Sequence, residues 1–148
     1  MFIKRILVPI DGSDLTDRAI PAAVALAAQL GAAIVGFVAE PEAPQPLVPL
    51  MRPPTDEELL EHEALTAAHA RPLLQRFEES AGQAGVAFEG VFAQVKHIDR
   101  AIIAAAESHD CDLILMVSHG RGAFGEFLFG SQTKAVLAGS SLPLLVLR

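Results

Sequence analysis

The apolar residues of this chain fall into short, nearly continuous runs that alternate with longer stretches in which apolar residues recur at helical spacing. Short apolar runs that are rich in β-branched residues and end at glycine, proline or aspartate are typical of buried strands. On this pattern we predict five strands, which cover residues 3–10, 33–39, 86–95, 112–117 and 142–147.

The first predicted helix follows Ser13, which is placed to act as its N-cap, and it ends before Gly31. Pro21 lies well inside this helix and predicts a kink or a local break. The uncharged stretch 19–39 is long enough to span a membrane. Its proline, its glycines and its many alanines favour a helix, a turn and a separate strand instead.

Six of the ten prolines lie within residues 41–54, which excludes regular helix or interior strand and predicts an extended surface loop. Thr55 and Glu58 then have the spacing of a capping box. Apolar residues at helical spacing continue this second helix towards Gly82, and Pro72 is predicted to bend it.

Two further helices are predicted over residues 98–108 and 131–137, the last one ending near Gly139. Strands that alternate with helices predict βαβ units, right-handed crossovers and a parallel sheet with helices on both faces. A chain of 148 residues, 51% of them hydrophobic, can bury one core but not two ordinary ones. We therefore predict a single α/β domain, residues 1–148, with three α/β/α layers.

The charge and the cysteine count limit the partners and the cellular compartment that we expect for this protein. A net charge of −7 and a pI near 5.1 argue against a general nucleic-acid or anionic membrane surface. The single cysteine, Cys111, lies beside an apolar strand and is expected to be a buried hydrophobe. Pro9 and Asp11 interrupt the first apolar run too early for a signal peptide. We expect a cytoplasmic protein.

The stretch 117–131, VSHGRGAFGEFLFGS, leaves the fourth strand and ends where a helix can begin. Its glycines allow the backbone to approach a ligand, and the free N–H groups of a helix start favour an anion such as phosphate. Two familiar motifs fit it incompletely. G-x-G-x-x-G at 120–125 lacks an acidic residue about twenty positions later, and G-x-x-x-x-G-S at 125–131 lacks the lysine of a Walker A loop.

Gly120, nine further residues and then Gly130 and Ser131 follow a different pattern. This pattern resembles the universal stress protein family, whose nucleotide-binding members carry G-x2-G-x9-G-S/T at this place. The resemblance also includes SHGR at 118–121, ILVPIDGSD near the start, DLILMVSHG in the second half and LPLLVLR at the end, so it covers the whole chain. Val117 stands where the motif has its first glycine.

The resemblance implies a Rossmann-like adenine nucleotide-binding fold with a five-stranded parallel sheet of strand order 3-2-1-4-5. This order puts the carboxyl ends of strands 1 and 4 side by side at a switch point, where such sheets bind ligands. The two most unusual loops, 11–14 and 118–130, follow these two strands. By resemblance, Asp11 would contact the adenosine. The backbones at Pro9, Val38 and Met116 would line the base and ribose pocket, and Val117 would border this pocket. The residues on the phosphate side would be Gly120, Gly130, Ser131, Gln132 and Thr133.

Several of these residues also have simpler interpretations, which the sequence leaves open. Asp11 is equally suited to forming its own turn, because aspartate accepts hydrogen bonds from the backbone that follows it. Ser131 can cap its helix while an anion binds the remaining N–H groups. Val117 can be a buried strand residue, whose methyl groups would then lie near the pocket. Thr133 would offer a hydroxyl to Mg²⁺ if that ion accompanies the nucleotide.

No catalytic or metal-binding residue is assigned from the sequence. Ser118, His119 and Asp11 have the residue types of a hydrolase triad, but a G-x-S-x-G elbow is missing and adjacent Ser and His do not establish triad geometry. His62 and His69 lie seven positions apart on a predicted helix without nearby cysteine or acidic ligands in a metal-binding arrangement. We interpret both histidines as surface residues.

The leading hypothesis is a small stress-response protein that binds ATP or a related adenine nucleotide as a sensor or regulator. A nucleotide-free interaction protein of the same fold is the alternative, for which Val117 is the best support, and a slow ATP hydrolase is a third reading. The last predicted strand, which begins at Leu142 and ends at Leu147, would leave an apolar edge unpaired. We expect a homodimer through this strand, and no nucleic-acid or membrane partner.

Overall fold

A computed structural model describes residues 1–118 and 130–148 of the chain. The described residues form five strands and four helices that alternate along the sequence, as the hydrophobic pattern predicts. In chain order they are β1 (Arg5–Pro9), α1 (Asp14–Leu30), β2 (Ala33–Pro41), α2 (Asp56–Gln83), β3 (Phe88–Val95), α3 (Ile98–Ser108), β4 (Leu113–Val117), α4 (Ser131–Gly139) and β5 (Leu144–Leu147).

The five strands form one parallel sheet of order β3-β2-β1-β4-β5, which confirms the predicted Rossmann-like topology. Leu7 in β1 lies opposite Val35 of β2 on one side and Ile114 of β4 on the other. β1 therefore occupies the centre of the sheet, and the chain reverses its direction of winding between β1 and β4. This reversal opens a crevice at the carboxyl ends of these two strands, where open α/β sheets bind ligands.

Alternate residues of β1 pack into two separate cores, one on each face of the sheet. Ile6 and Val8 are fully buried in the core that includes Ala23 of α1 and Phe77 of α2. Leu7 is equally buried on the opposite face, in the core that α3 and α4 complete. Because both faces are covered, the central strands are continuously apolar instead of alternating with polar residues.

The turn between α1 and β2 confirms that the uncharged stretch 19–39 contains a helix, a turn and a strand. Gly31 ends α1 in the left-handed conformation, with φ at 64°, and its N–H donates to the carbonyl of Ala27. A left-handed residue after the last turn is a common helix terminator, and glycine adopts it without a steric penalty. None of the helices in the described residues combines the length and the apolar character of a membrane-spanning segment.

The break considered at Pro21 is wrong, because α1 continues through this residue. Ile20 and Ala23, on either side of the proline, are buried in the core. Packing of an apolar face contributes most of the stability of a protein helix, and here it outweighs the backbone hydrogen bond that proline removes. α2 likewise continues through Pro72 and beyond Gly82.

The predicted capping box at the start of α2 is confirmed. The hydroxyl of Thr55 accepts a hydrogen bond from the N–H of Glu58 at 3.2 Å, and the Glu58 carboxylate accepts one from the N–H of Thr55 at 2.8 Å. Both guanidinium amino groups of Arg52 also donate to Glu58, each at 2.8 Å. This arrangement fixes the point at which the proline-rich loop becomes a helix.

Each of the five strands differs from its predicted range at one end or at both, and β1 and β2 differ for reasons that local sequence does not contain. β1 begins at Arg5 instead of residue 3, and the residues before it include the exposed Met1 and Phe2. β2 extends to Pro41, which pairs in register with Val95 of β3. Proline is tolerated here because it is the last residue of the strand. Cys111 is a free thiol and is buried, as expected.

Candidate adenine nucleotide site

The carboxyl ends of β1 and β4 border a cavity of about 630 Å³. Pro9 and Asp11 line it at the end of β1, and Met116 and Val117 line it at the end of β4. These two strands are neighbours in the sheet although their loops are about a hundred residues apart in sequence. The fold thus brings together the two loops that the sequence singles out.

The first residues of α4 form another wall of the same cavity. Gly130, Ser131, Gln132 and Thr133 all border it. No side chain within the described residues caps this helix, and its first intrahelical hydrogen bond runs from the N–H of Lys134 to the carbonyl of Gly130. The preceding N–H groups of the first turn have no partner in the helix, so they can donate to an anion.

Two of the sequence-predicted site residues are not among the described residues that line the cavity. Gly120 lies outside the described residues, as do the neighbouring His119 and Arg121. Val38 is fully buried in the core that α1 and α2 cover, and the next residue of β2, Ala39, borders the cavity instead. Consecutive strand residues point to opposite faces of a sheet, so a shift of one position exchanges the core for the cavity.

The loop after β1 is held by a compact set of hydrogen bonds around Asp11. Its Oδ1 accepts the N–H of Ser13 at 2.9 Å, which is the turn-forming role that the sequence left open. The hydroxyl of Thr16 accepts the N–H of Gly12 at 3.0 Å and that of Asp11 at 3.3 Å. The same hydroxyl lies 3.4 Å from Oδ1 of Asp11, to which it donates.

α1 begins directly after Ser13, as predicted, but these contacts correct the capping role that was expected of the Ser13 side chain. Ser13 occupies the N-cap position, but its side chain makes no capping hydrogen bond. The polar side chain that satisfies the backbone of this turn belongs to Thr16, three residues later. Thr16 was missed because the sequence does not reveal that the chain folds back over this position. Its only sequence signal is a hydroxyl residue in the first helical turn after an aspartate-glycine turn.

Asp11 is ionised at neutral pH. Partial burial raises the pKa of this carboxyl group, but the hydrogen bonds from Ser13 and Thr16 outweigh the burial and lower the pKa below its usual value. The hydrogen bonds that the described part of the chain provides to this carboxylate all use Oδ1. Oδ2 is therefore open to a donor group of a ligand, such as a hydroxyl.

The remaining walls of the cavity are apolar, and the sequence analysis did not identify them. Leu15 of α1 lines one side, and Ile98 and Ile102, one turn apart on α3, line another. Val117 borders the cavity and packs against the core that α1 covers; it is the last residue of β4, as its simpler interpretation has it, but it is half-buried and not buried. Apolar surfaces of this kind suit a ring system, and the polar residues of the lining are Asp11, Thr16, Ser118 and those at the start of α4.

Two other candidate chemistries are metal binding and hydrolysis by a catalytic triad. Within residues 1–118 and 130–148, no three histidine, cysteine, aspartate or glutamate side chains are grouped so that they could hold a metal ion. Ser118 is buried at the edge of the cavity, and its hydroxyl has no hydrogen-bond partner in the described part of the chain. The hydrolase triad that was considered requires His119, which lies outside the described residues.

Comparison with known proteins agrees with this fold. Residues 2–148 match the universal stress protein family, and the chain belongs to it. A curated relative, the universal stress protein in QAH/OAS sulfhydrylase 3'region of Thermus aquaticus, is 32% identical over 145 residues, which cover 98% of each chain.

Two solved structures with bound nucleotides share the fold. The universal stress protein from Archaeoglobus fulgidus in complex with dAMP has a TM-score of 0.68 and 17% identity, with all of both chains covered. A universal stress protein in complex with cAMP has a TM-score of 0.71 and 19% identity, with 100% of this chain and 98% of the other covered. Some proteins with this fold thus bind adenine nucleotides.

Proposed function

We propose that this protein binds ATP or a related adenine nucleotide in the cavity between β1 and β4 and acts in the cytoplasm as a nucleotide-dependent sensor or regulator of the stress response. The observation that carries the proposal is the meeting of an ionised Asp11 and the uncapped start of α4 across one cavity of about 630 Å³. A carboxylate suits hydroxyl donors, and helix N–H groups suit phosphate. A nucleotide carries both kinds of group, hydroxyls on its ribose and a phosphate chain.

Each wall has a role in this proposal. The free Oδ2 of Asp11 accepts a ribose hydroxyl, and the backbones at Pro9 and Met116, with the apolar walls beside them, hold the base. Ser131 and Gln132 offer N–H groups to the phosphates, and Gly120 belongs on the same side. Thr133 adds a hydroxyl for Mg²⁺ if the ion accompanies the nucleotide. The supporting facts are that the described members of this set border one cavity and that Asp11 is ionised.

A nucleotide-free interaction protein of the same fold is the second candidate. The observation that favours it is Val117, whose side chain borders the cavity at the position where the nucleotide-binding motif has glycine. A β-branched residue occupies space there and restricts the backbone. If the cavity admits no nucleotide, the functional surface lies elsewhere on the fold.

We also propose that the protein is a homodimer through β5. Within residues 1–118 and 130–148 this strand pairs with β4 only, so no described strand covers its outer edge, and all four of its residues are half-buried in the isolated chain. Edges of this kind are usually covered or paired. Light scattering at micromolar concentration should give twice the chain mass, and a monomer would contradict the proposal.

Calorimetric titration of nucleotide-free protein with Mg-ATP tests the binding proposal, with GTP as the control for base specificity. We expect saturable binding of ATP and much weaker binding of GTP. Asp11→Asn should weaken ATP binding on the order of tenfold, because a charged acceptor is replaced by a neutral group. Absence of binding at millimolar ATP would contradict the proposal and favour the interaction protein.

A phosphate-release assay separates binding from turnover. The described cavity holds no residue placed as a general base for phosphoryl transfer, and we propose that the bound nucleotide is not hydrolysed at a significant rate. Ser131→Ala serves as the control variant at the phosphate side. A release rate well above background that this variant abolishes would identify the protein as an ATP hydrolase instead.

A further inference from the structure

We propose that Thr16 is the positioning residue of the ligand site: its hydroxyl holds the loop after β1 in the conformation that directs the Asp11 carboxylate into the cavity. This inference rests on the proposed function for its consequence on binding. Its structural part concerns the chain alone and can be tested without any nucleotide.

The first step of the argument is that the Thr16 hydroxyl uses its full hydrogen-bonding capacity on this loop. A hydroxyl has one donor and two acceptor positions. Both acceptor positions are taken by backbone N–H groups, from Gly12 at 3.0 Å and from Asp11 at 3.3 Å, and the donor points to Oδ1 of Asp11 at 3.4 Å. The Thr16 side chain therefore holds two consecutive peptide groups and the Asp11 carboxylate, all in the loop that joins β1 to α1.

The second step concerns the backbone that these bonds hold. Gly12 has a φ of 82°, so the chain turns sharply between β1 and α1. An N–H group in such a turn has no regular partner in a strand or a helix. Without the Thr16 hydroxyl, the N–H groups of Asp11 and Gly12 would both lose their acceptor, and the loop would have to find another arrangement to satisfy them.

The third step is that Thr16 has little freedom to move. Only 2% of its surface is exposed, and its own N–H donates to the carbonyl of Ser13 at 2.9 Å. It lies in the first turn of α1, which is packed on the central strand, and it borders the cavity. The loop is thus attached to a buried residue of a packed helix, and Oδ1 of Asp11 is held while Oδ2, which accepts no hydrogen bond from the described residues, remains for a ligand.

Three variants test this inference. Thr16→Val keeps the shape of the side chain and removes the hydroxyl, whereas Thr16→Ser keeps the hydroxyl and removes the methyl group. Thr66→Val is the matched control, because Thr66 is another buried helical threonine whose hydroxyl donates to the carbonyl of Glu63 and accepts from Gln94, both away from the cavity. Thermal melting confirms that each variant is folded.

The first readout is measured by NMR on protein without nucleotide. We expect Thr16→Val to raise the pKa of the Asp11 carboxyl group towards its ordinary value and to speed hydrogen exchange of the Gly12 N–H on the order of tenfold. Thr16→Ser should restore both values, and Thr66→Val should change neither. An unchanged pKa and unchanged exchange in Thr16→Val would overturn the inference, whatever the protein binds.

The second readout is the dissociation constant for Mg-ATP. We expect Thr16→Val to raise it on the order of tenfold, with recovery in Thr16→Ser and no change in Thr66→Val. If the unmodified protein binds no ATP, the proposed function fails, and the NMR readout still decides the role of Thr16. If ATP binds equally to all variants, Thr16 does not position the site.

Discussion

Nδ1 of His69 in α2 lies 2.5 Å from Oε1 of Glu40 near the end of β2, and the carboxylate is buried while the imidazole is half exposed. Nε2 of the same ring lies 3.2 Å from the position that a Cβ would take on Gly12. His69 therefore joins α2 to the carboxyl ends of β2 and β1. His69 is exposed, as its interpretation as a surface residue expects, but the topology also brings a buried acid beneath it.

His69→Ala should destabilise the protein by about 1–3 kcal/mol, because it leaves the buried Glu40 carboxylate without its partner. His62→Ala is the control, since this half-buried histidine on the same helix hydrogen-bonds only to the carbonyl of Pro41 among the described residues. Urea unfolding of both variants measures the difference. Equal losses of unfolding free energy would show that the Glu40 contact contributes nothing specific.

Gly36→Ala should destabilise the protein by about 1–3 kcal/mol through overpacking. A Cβ at this position in β2 would lie 2.7 Å from Cζ of Phe88, whose ring packs against Phe77 with centroids 4.9 Å apart. Gly82→Ala in α2 meets no atom within 4 Å and should stabilise the helix by about 0.5–1 kcal/mol. Denaturant unfolding should therefore show a lower free energy of unfolding for Gly36→Ala and a higher one for Gly82→Ala. Changes in the same direction would contradict this explanation.

Val117→Gly should strengthen ATP binding on the order of tenfold, because it removes two methyl groups from the cavity edge and restores the motif glycine. It should also lower the unfolding free energy by about 1–3 kcal/mol, since Val117 packs against the core. Val117→Ala should have an ATP affinity and an unfolding free energy between those of the unmodified protein and those of Val117→Gly. Unchanged affinity across this series, measured by calorimetry, would show that Val117 does not restrict the site.

Glu58→Gln should destabilise α2 at pH 7 but have little effect near pH 2. The Arg52 guanidinium and the N–H of Thr55 lower the pKa of Glu58 to about 2. Because this folded-state value lies below that of an unfolded glutamate, about 4.3, the contribution is complete above the unfolded value and is lost as the pH falls towards 2. Thermal melting between pH 7 and pH 2 measures the stability difference between the unmodified protein and Glu58→Gln, with Glu57→Gln as the control. A difference independent of pH would contradict this explanation.

The fold was predictable because its signals are local. Thr55 with Glu58, and Gly31 after an alanine-rich helix, set helix boundaries through contacts among neighbours in sequence. The apolar runs of the central strands follow from burial on both faces. The strand order, in contrast, came from the family resemblance and not from any local pattern.

The details of the site depend on tertiary placement and were harder to predict. Thr16, and not Ser13, satisfies the turn after β1, because the path of the loop decides which hydroxyl the N–H groups meet. Ala39, and not Val38, borders the cavity, because a single step in strand phase changes the face. Ile98 and Ile102 became part of the wall only through the packing of α3 against β1, β2 and α4.

An NMR titration of the isotope-labelled protein with Mg-ATP tests the central claim most directly, because it reports both binding and its location. We expect saturable shifts of the amide signals of Gly12, Ser131, Gln132 and Thr133, and much smaller shifts with GTP. Amides near the start of α2, far from the cavity, should stay unchanged. Shifts confined to other parts of the chain, or none at millimolar ATP, would contradict a nucleotide site between β1 and β4.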